Sequence, residues 1–255
     1  MILIKNKIAF SKMETAGKLL AQIFEDMREI VQPGITTLEL DAWIERQIIL
    51  NGLRSEMKGY AGYRHVSCIS INDEVVHGVP TKARILQPKD FVKVDVCASW
   101  KGFCADMARP FFIDGGTEEA QKLARVAQQS LDKGIAQAVP GNRIGDISAA
   151  IQKEIEKAGF GVVRDFAGHG IGKSMHEDPE VLNYGIAGSG PLLTEGMALA
   201  IEPMITAGNY DVYVTSDKWT AKTKDKSLAA HVEDTVFITA QGPRVITRLQ
   251  VEIGG

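Results

Sequence analysis

The chain repeats itself once. Pro33-Gly34 recurs as Pro140-Gly141 and Gly52 as Gly159, each 107 residues later, and the same offset carries Leu40, Ile44 and Ile48 onto Ile147, Ile151 and Ile155. In both copies three aliphatic residues spaced by four line one face of a helix that closes before the glycine. Another helical pattern precedes each Pro-Gly: residues 10 to 31 carry Leu19, Leu20, Ile23, Phe24, Met27, Ile30 and Val31, and a second such helix runs from about 117. Thr36 and Thr37 are both able to cap the helix that follows Gly34. Self-similarity at a fixed offset marks a duplicated supersecondary unit. We therefore expect an α+β chain of 255 residues in one domain, with two similar helix-helix-sheet halves at about 10–110 and 117–240.

Each half supplies acids on apolar strands. Phe91 to Arg109 alternates with period two and reads as a β-hairpin carrying Asp95 and Asp106. With the turn centred between Trp100 and Lys101, Cys97 opposes Cys104 and Asp95 lies directly across from Asp106; a three-residue loop would put Asp106 on the other face. Like charges on directly paired residues destabilise a sheet unless a cation neutralises them. The 107-residue offset from Asp95 lands on Glu202, in the apolar run Met197-Ala-Leu-Ala-Ile-Glu202-Pro203, and the last expected strand, Ala230 to Ile238, places Glu233, Thr235 and Phe237 on one face.

Composition narrows the class. At 45% hydrophobic residues the chain is long enough to bury a large core, and a net charge of −3 with interspersed acids and bases favours neither nucleic acid nor an anionic membrane as partner. No apolar run reaches the 18 or so residues of a membrane span, and the apolar start is too short for a secretory signal, so a cytoplasmic location is expected. Three cysteines without close spacing argue against both a disulfide framework and a structural zinc site; Cys68, Cys97 and Cys104 read as small buried residues, with Cys97 and Cys104 flanking the acids.

Three histidines sit beside glycines or turns. His77 precedes Gly78, His169 stands between Gly168 and Gly170, and His176 lies three residues before Pro179. The stretch Ala167 to Ser174 comes within one residue of a phosphate-binding loop, yet Pro179 would cut short the helix such a loop requires, which argues against nucleotide binding. Residues 207–227 read as a polar loop or hairpin around Trp219. Four strand-borne carboxylates and an imidazole suit two divalent first-row cations, whose four positive charges balance the acids and leave a bridging hydroxide as the extra anion. Four acids in a core without such cations would be prohibitively costly.

At these residues the chain resembles type I methionine aminopeptidases. The resemblance covers nearly its whole length: Ile-Asn-Asp-Glu-Val-Val-His77-Gly, Asp95 and Asp106 with ten residues between them, Gly-His169-Gly-Ile-Gly, His176-Glu-Asp-Pro, Ile-Glu202-Pro-Met, the run from Trp219 to Ser227, and Glu233-Asp-Thr. It implies the pita-bread fold, two halves related by a pseudo-twofold around a central dinuclear site, which agrees with the 107-residue offset. It further implies that Asp95 binds one metal bidentately, that Asp106 and Glu233 bridge both metals (Co, Mn, Fe or Zn), and that His169 and Glu202 complete the other metal's ligand set. His77 and His176 match non-ligand histidines, and Met57, Tyr60, Tyr63, Cys68, Met175 and Trp219 fall at the methionine side-chain pocket. Met57 and Met175 stand where some members have Cys and Phe, Val76 where Cys is frequent, and Cys97 where Thr is common. These departures touch pocket shape, inhibitor selectivity and metal preference, while the ligand set is intact.

The activity so implied is removal of the initiator methionine from nascent polypeptide N-termini, near the ribosome exit, when the second residue is small. Glu202 shuttles the proton of the attacking water, His176 donates to the carbonyl oxygen as it becomes an oxyanion, and His77 sits by the scissile nitrogen. The enzyme is expected to be a cytoplasmic monomer without nucleic-acid or membrane partners, starting directly with the catalytic domain and lacking a zinc-finger extension. Since Ile2 is large and β-branched, the same rule implies that it keeps its own Met1. Two alternatives share the fold: an Xaa-Pro aminopeptidase or prolidase, which normally carries a large extra N-terminal domain, and a non-catalytic binding module, which typically loses ligands.

Overall fold

The structure, a computed structural model, describes residues 1–249. Helix α1 (Lys7–Asp26) starts earlier than periodicity alone predicts because Asn6 caps it, its Oδ1 accepting from Ala9 N at 2.9 Å. Helix α2 (Thr37–Leu50) opens on a capping box: Glu39 N donates to Thr36 Oγ1 at 3.1 Å and Thr36 N donates to Glu39 Oε2 at 2.9 Å. Thr36 is thus the cap, and Thr37, in the first turn, turns its hydroxyl to Thr81 O. In the second half come α3 (Glu118–Gln137), capped by Thr117, and α4 (Ile144–Lys157). Helices α2 and α4 have 14 residues each and begin 107 residues apart, whereas α1 and α3, 20 residues each, begin 111 apart. The aliphatic stripes of α2 and α4 are 0 to 2% exposed, and each packs into the core of its own half.

The first half contributes β1 (Arg54–Ser55), β2 (Cys68–Ile71), β3 (Glu74–Val76), β4 (Phe91–Trp100) and β5 (Phe103–Phe112); β1, β2, β4 and β5 form one sheet, and β3 pairs in another. Strand β4 is central, paired along its length with β5 and on its other edge with β1 and β2. The hairpin register corrects the sequence reading. Lys101 and Gly102, at φ 48° and 76°, form the two-residue turn, so Trp100 pairs with Phe103, Cys97 with Asp106, and Asp95 with Ala108. A two-residue turn matching the strand twist needs positive φ at both central positions, which Lys101-Gly102 supplies and Trp100-Lys101 does not. The shift is two residues in pairing, so Asp95 and Asp106 keep the same face as diagonal neighbours.

In the second half follow β6 (Gly161–Val162), β7 (Gly168–Gly170), β8 (Glu177–Val181), β9 (Ala198–Ile201), β10 (Met204–Thr206), β11 (Val212–Val214), β12 (Ala221–Thr223), β13 (Ala229–His231), β14 (Asp234–Thr239) and β15 (Gly242–Val245). Strands β9 and β10 fall where the offset places the copy of β4. The five-stranded antiparallel sheet runs β15-β14-β9-β7-β8. The single strand expected over 230–238 is broken at Val232–Glu233, because β13 pairs with β10 and β14 with β9, in different sheets; β15 then follows it. Residues 207–227 form the β11–β12 hairpin, whose Ala221 pairs with Val76 of β3. Lys173 and Ser174 lead into strand β8 and start no helix, in keeping with the argument against a phosphate loop.

Candidate metal centre and the cavity beside it

The halves meet where the acids are. Glu233, left between two strands, bridges to β5: its N–H donates to Ala108 O at 3.1 Å, and Ala108 N donates to Glu233 O at 3.4 Å. Two residues on, Thr235 Oγ1 accepts from Asp106 N at 2.9 Å and donates to Asp106 O at 2.8 Å. Ala108 therefore has Asp95 as its hairpin partner and Glu233 as its bridge partner, which gathers acids from both halves by backbone pairing.

His169 enters from the middle of β7. A Cβ on Gly168 would lie 2.3 Å from Ala200 O and one on Gly170 2.1 Å from Asp178 O, so the flanking glycines allow β7 to lie between β9 and β8. His169 Nδ1 is 2.9 Å from Gly170 O; a carbonyl only accepts, so Nδ1 carries the proton and Nε2 of the neutral ring is a free donor atom for a cation. That Nε2 is 3.5 Å from Glu202 Oε1 and 4.0 Å from Asp106 Oδ2. One ligand atom from each of Asp106, His169 and Glu233 lies within 4.8 Å of the others. Asp95 and Glu202 stand outside this tightest trio and line the same cavity.

No Lys or Arg among the described residues forms an ion pair with any of the four acids; Lys93, two residues before Asp95, donates its ammonium to Asn72 O at 3.0 Å. Burial therefore raises the carboxyls: Asp106 to about 6, and Asp95, Glu202 and Glu233 well above their usual range, each of these three raised further by the neighbouring acids. Burial lowers His169 to about 3, His231 to about 3 and His77 to about 4, and pushes His176 down as well. Asp106 Oδ1 and Glu233 Oε1 are buried without a hydrogen-bond partner. Orphaned acid oxygens facing an unprotonated imidazole nitrogen fit a divalent cation, which replaces protons on the acids and needs no proton on the ring.

One cavity of about 110 Å³ collects every site residue expected from the sequence. Asp95, Asp106, His169, Glu202 and Glu233 line it together with Met57, Tyr60, Tyr63, Cys68, Met175, Trp219, His77 and His176, and Cys68 is the strand partner of Asp95. His176 Nδ1 is 2.8 Å from Tyr60 Oη, and its ring stands edge-on to His169 at 4.4 Å between centroids. His77 adopts φ 60°, an uncommon conformation for a side chain other than glycine, and packs edge-on against Phe166 at 5.3 Å. A larger groove of about 1120 Å³, between α1 and α3, holds none of these residues.

Two functional neighbours escaped the sequence reading. Asp41, 5% exposed on α2, accepts from Val66 N at 3.1 Å, Ser67 N at 3.0 Å and Ser67 Oγ at 2.7 Å, with His65 Nδ1 at 3.0 Å from its other oxygen. It thereby fixes the segment in which Tyr63 donates to Ser67 O and packs on Trp219 at 4.9 Å. Its signal was an acid sharing the buried stripe of Leu40, Ile44 and Ile48. Asp41→Ala leaves these donors unmet, and since hydrogen bonds to a charged group are worth about 1.5–3 kcal/mol each, a loss of at least 3 kcal/mol is expected in urea unfolding; a loss under about 1 kcal/mol would show that the cluster is not structural. The second neighbour is His231, the last residue of β13, with Nε2 3.4 Å from Glu202 Oε2.

A buried set of acid and imidazole donors, drawn from two matched halves and opening on one cavity, defines a metal-dependent protein. A model of metallopeptidase family M24 matches residues 11–240, and the chain belongs to this family. Methionine aminopeptidase of Clostridium acetobutylicum is 47% identical over 247 residues, 97% of this chain and 99% of that protein. The crystal structure of methionine aminopeptidase from Thermotoga maritima superposes with a TM-score of 0.95 at 40% identity, covering 98% of this chain and all of that one. Prolidase from Pyrococcus furiosus gives a TM-score of 0.78 at 21% identity over 66% of its length, a likeness of fold alone. The fold is the pita-bread fold, and the family uses divalent metal.

Proposed function

We propose that this chain is a type I methionine aminopeptidase, a metal-dependent hydrolase that removes the initiator methionine from nascent proteins whose second residue is small. The observation that carries the reading is the meeting, in one cavity, of the acid and imidazole donors with a soft lining of Met57, Met175, Tyr63 and Trp219, polarizable groups suited to a thioether side chain. Relatives named methionine aminopeptidase over the full chain support it.

Asp95, Asp106, His169, Glu202 and Glu233 would hold two divalent ions, drawn from Co, Mn, Fe and Zn, between which an oxygen-rich donor set selects weakly. When bound, such ions polarise the peptide carbonyl and bring the pKa of a coordinated water near 7. The chain's own groups do the rest. Glu202 takes the proton of the attacking water and passes it on to the leaving nitrogen, beside which His77 stands. His176, its ring set by Tyr60, donates to the carbonyl oxygen as negative charge develops there. The soft lining, Cys68 included, seats the methionine side chain, so the bond after it meets the acid and imidazole donors. We read residues 1–255 as one catalytic unit, a monomer acting in the cytoplasm on N-termini leaving the ribosome; among the described residues no helix is long and apolar enough to cross a membrane.

A peptide panel tests the reading. Met-Ala-Ser is expected to be cleaved about 10- to 200-fold faster in kcat/KM than Met-Ile-Ser, the range that size discrimination in a confined site provides. Ala-Pro-Ala is expected to survive, and chelation of the metal should abolish turnover. Preferred cleavage of Ala-Pro-Ala would favour the Xaa-Pro reading instead, and full activity after chelation would remove the metal mechanism.

A further inference from the structure

Glu202 lies between two imidazoles. Its Oε1 is 3.5 Å from His169 Nε2, and its Oε2 is 3.4 Å from His231 Nε2. Its main chain is held too, following the fully buried β9 and preceding Pro203, with its carbonyl accepting from Asn183 Nδ2 at 3.0 Å. What the backbone leaves free is the carboxylate, whose terminal torsion is broad and nearly two-fold.

His231 stands where that freedom is removed. It ends β13, is 2% exposed, and is locked by its pairing with Met204 of β10. Its Nε2 is buried with no hydrogen-bond partner, and a polar nitrogen left so is costly. Among the described residues the acid it faces is Glu202. The separation is somewhat long for an N–H···O bond, as is common before substrate and metal bring such a pair to its working geometry.

We propose that His231 is a positioning residue: its Nε2–H holds Oε2 of Glu202, which keeps Oε1 turned toward His169 and the cavity. The inference rests on the reading of Glu202 as ligand and proton acceptor, and it assigns His231 no contact with substrate. A donor fixed on one oxygen makes the two oxygens of Glu202 inequivalent, so that one is committed to the protein and the other to the reaction.

The test compares His231→Gln, whose amide N–H reaches where Nε2 stood, with His231→Leu, which fills the space without a donor. Each metal-free protein is titrated with Mn²⁺ by calorimetry, and kcat and KM are measured on Met-Ala-Ser with the metal-loaded protein. Partners of this kind are worth about 10–100-fold in metal affinity or activity, so His231→Leu is expected to lower kcat by about that factor and weaken Mn²⁺ about tenfold, with KM within about threefold. His231→Gln is expected to stay within about threefold of wild type in all three. Equal losses in both variants would reduce His231 to packing, and wild-type values in His231→Leu would overturn the proposal outright. If His231→Leu does not fold, His231→Met takes its place in the same comparison. Failure of the underlying reading looks different: the wild type itself would then neither bind Mn²⁺ nor cleave Met-Ala-Ser.

Discussion

Asp106→Asn is expected to abolish turnover and to strip the protein of at least one equivalent of divalent metal. The argument starts from position. Asp106 is 4% exposed, its backbone is clamped to Thr235 across the seam between the halves, and its Oδ1 has no protein partner. The asparagine keeps shape and backbone bonds, so only the charge is lost. Partners one step removed from a metal cost about 10–100-fold, and a direct donor held this rigidly is expected to cost more than about 1000-fold in kcat/KM, about 4 kcal/mol. The same substitution relieves like-charge repulsion, so the metal-free variant should unfold at a higher temperature than metal-free wild type above pH 6. His176→Ala is the contrast: its ring touches Tyr60 and His169 from outside the donor trio, so metal content should be unchanged while kcat falls about 100- to 1000-fold, the range for one oxyanion donor. Elemental analysis after dialysis, beside steady-state kinetics, separates the two. Loss of metal from His176→Ala would move that histidine into the ligand shell.

How far the residues alone disclose this arrangement depends on the kind of information each position carries. The stripes Leu40-Ile44-Ile48 and Ile147-Ile151-Ile155 were legible because helical spacing is a local property, and the α2 and α4 they define begin at the expected separation. The hairpin register was less so. Pairing depends on which two residues accept positive φ, and Lys101 does so without announcing it as Asn or Gly would; the acids stayed on one face only because the error was even in parity. Alternation also hid the break at Val232–Glu233, since His231, Glu233 and Thr235 keep period two while the chain passes from one sheet to another. His231 was not singled out, because its meaning depends on Glu202, which approaches from a different strand. Asp41 is the same case, because an acid on an apolar stripe signals a partner, and the partner at residues 65–67 is fixed only by the fold. The four acids were picked out by strand alternation and the repeat offset, whereas their ligand roles and the pocket residues came through the resemblance to a known family, which carries tertiary information that periodicity lacks.

Mn²⁺ is expected to raise the unfolding temperature of the metal-free protein, and by more at pH 7.5 than at pH 5. Asp106 is held at about 6 and Asp95, Glu202 and Glu233 are raised as well, so these acids contribute stability that is present below their unfolded values and is lost as pH rises through their folded ones. His77, His169 and His231 work in the opposite sense, because rings held at about 4, 3 and 3 lose stability as pH falls from their unfolded value toward those figures. Above about pH 6 the metal-free protein therefore carries the cost of an ionised, unpaired Asp106 among the other raised acids, while the rings are already neutral. A divalent cation removes that cost and competes with no proton on His169. Below pH 6 it must first displace the proton on Asp106 and then, near pH 3, compete with protonation of His169, so its affinity falls. At 1000 times its dissociation constant a ligand stabilises by about 4 kcal/mol, which for a chain of this length corresponds to about 8–16 °C. Calorimetric melts at both pH values, with and without Mn²⁺, measure the difference, and Asp106→Asn provides the control because it deletes the most directly titrating donor. An equal shift at pH 5 and 7.5, or the full shift surviving in Asp106→Asn, would place the binding of Mn²⁺ somewhere other than these acids.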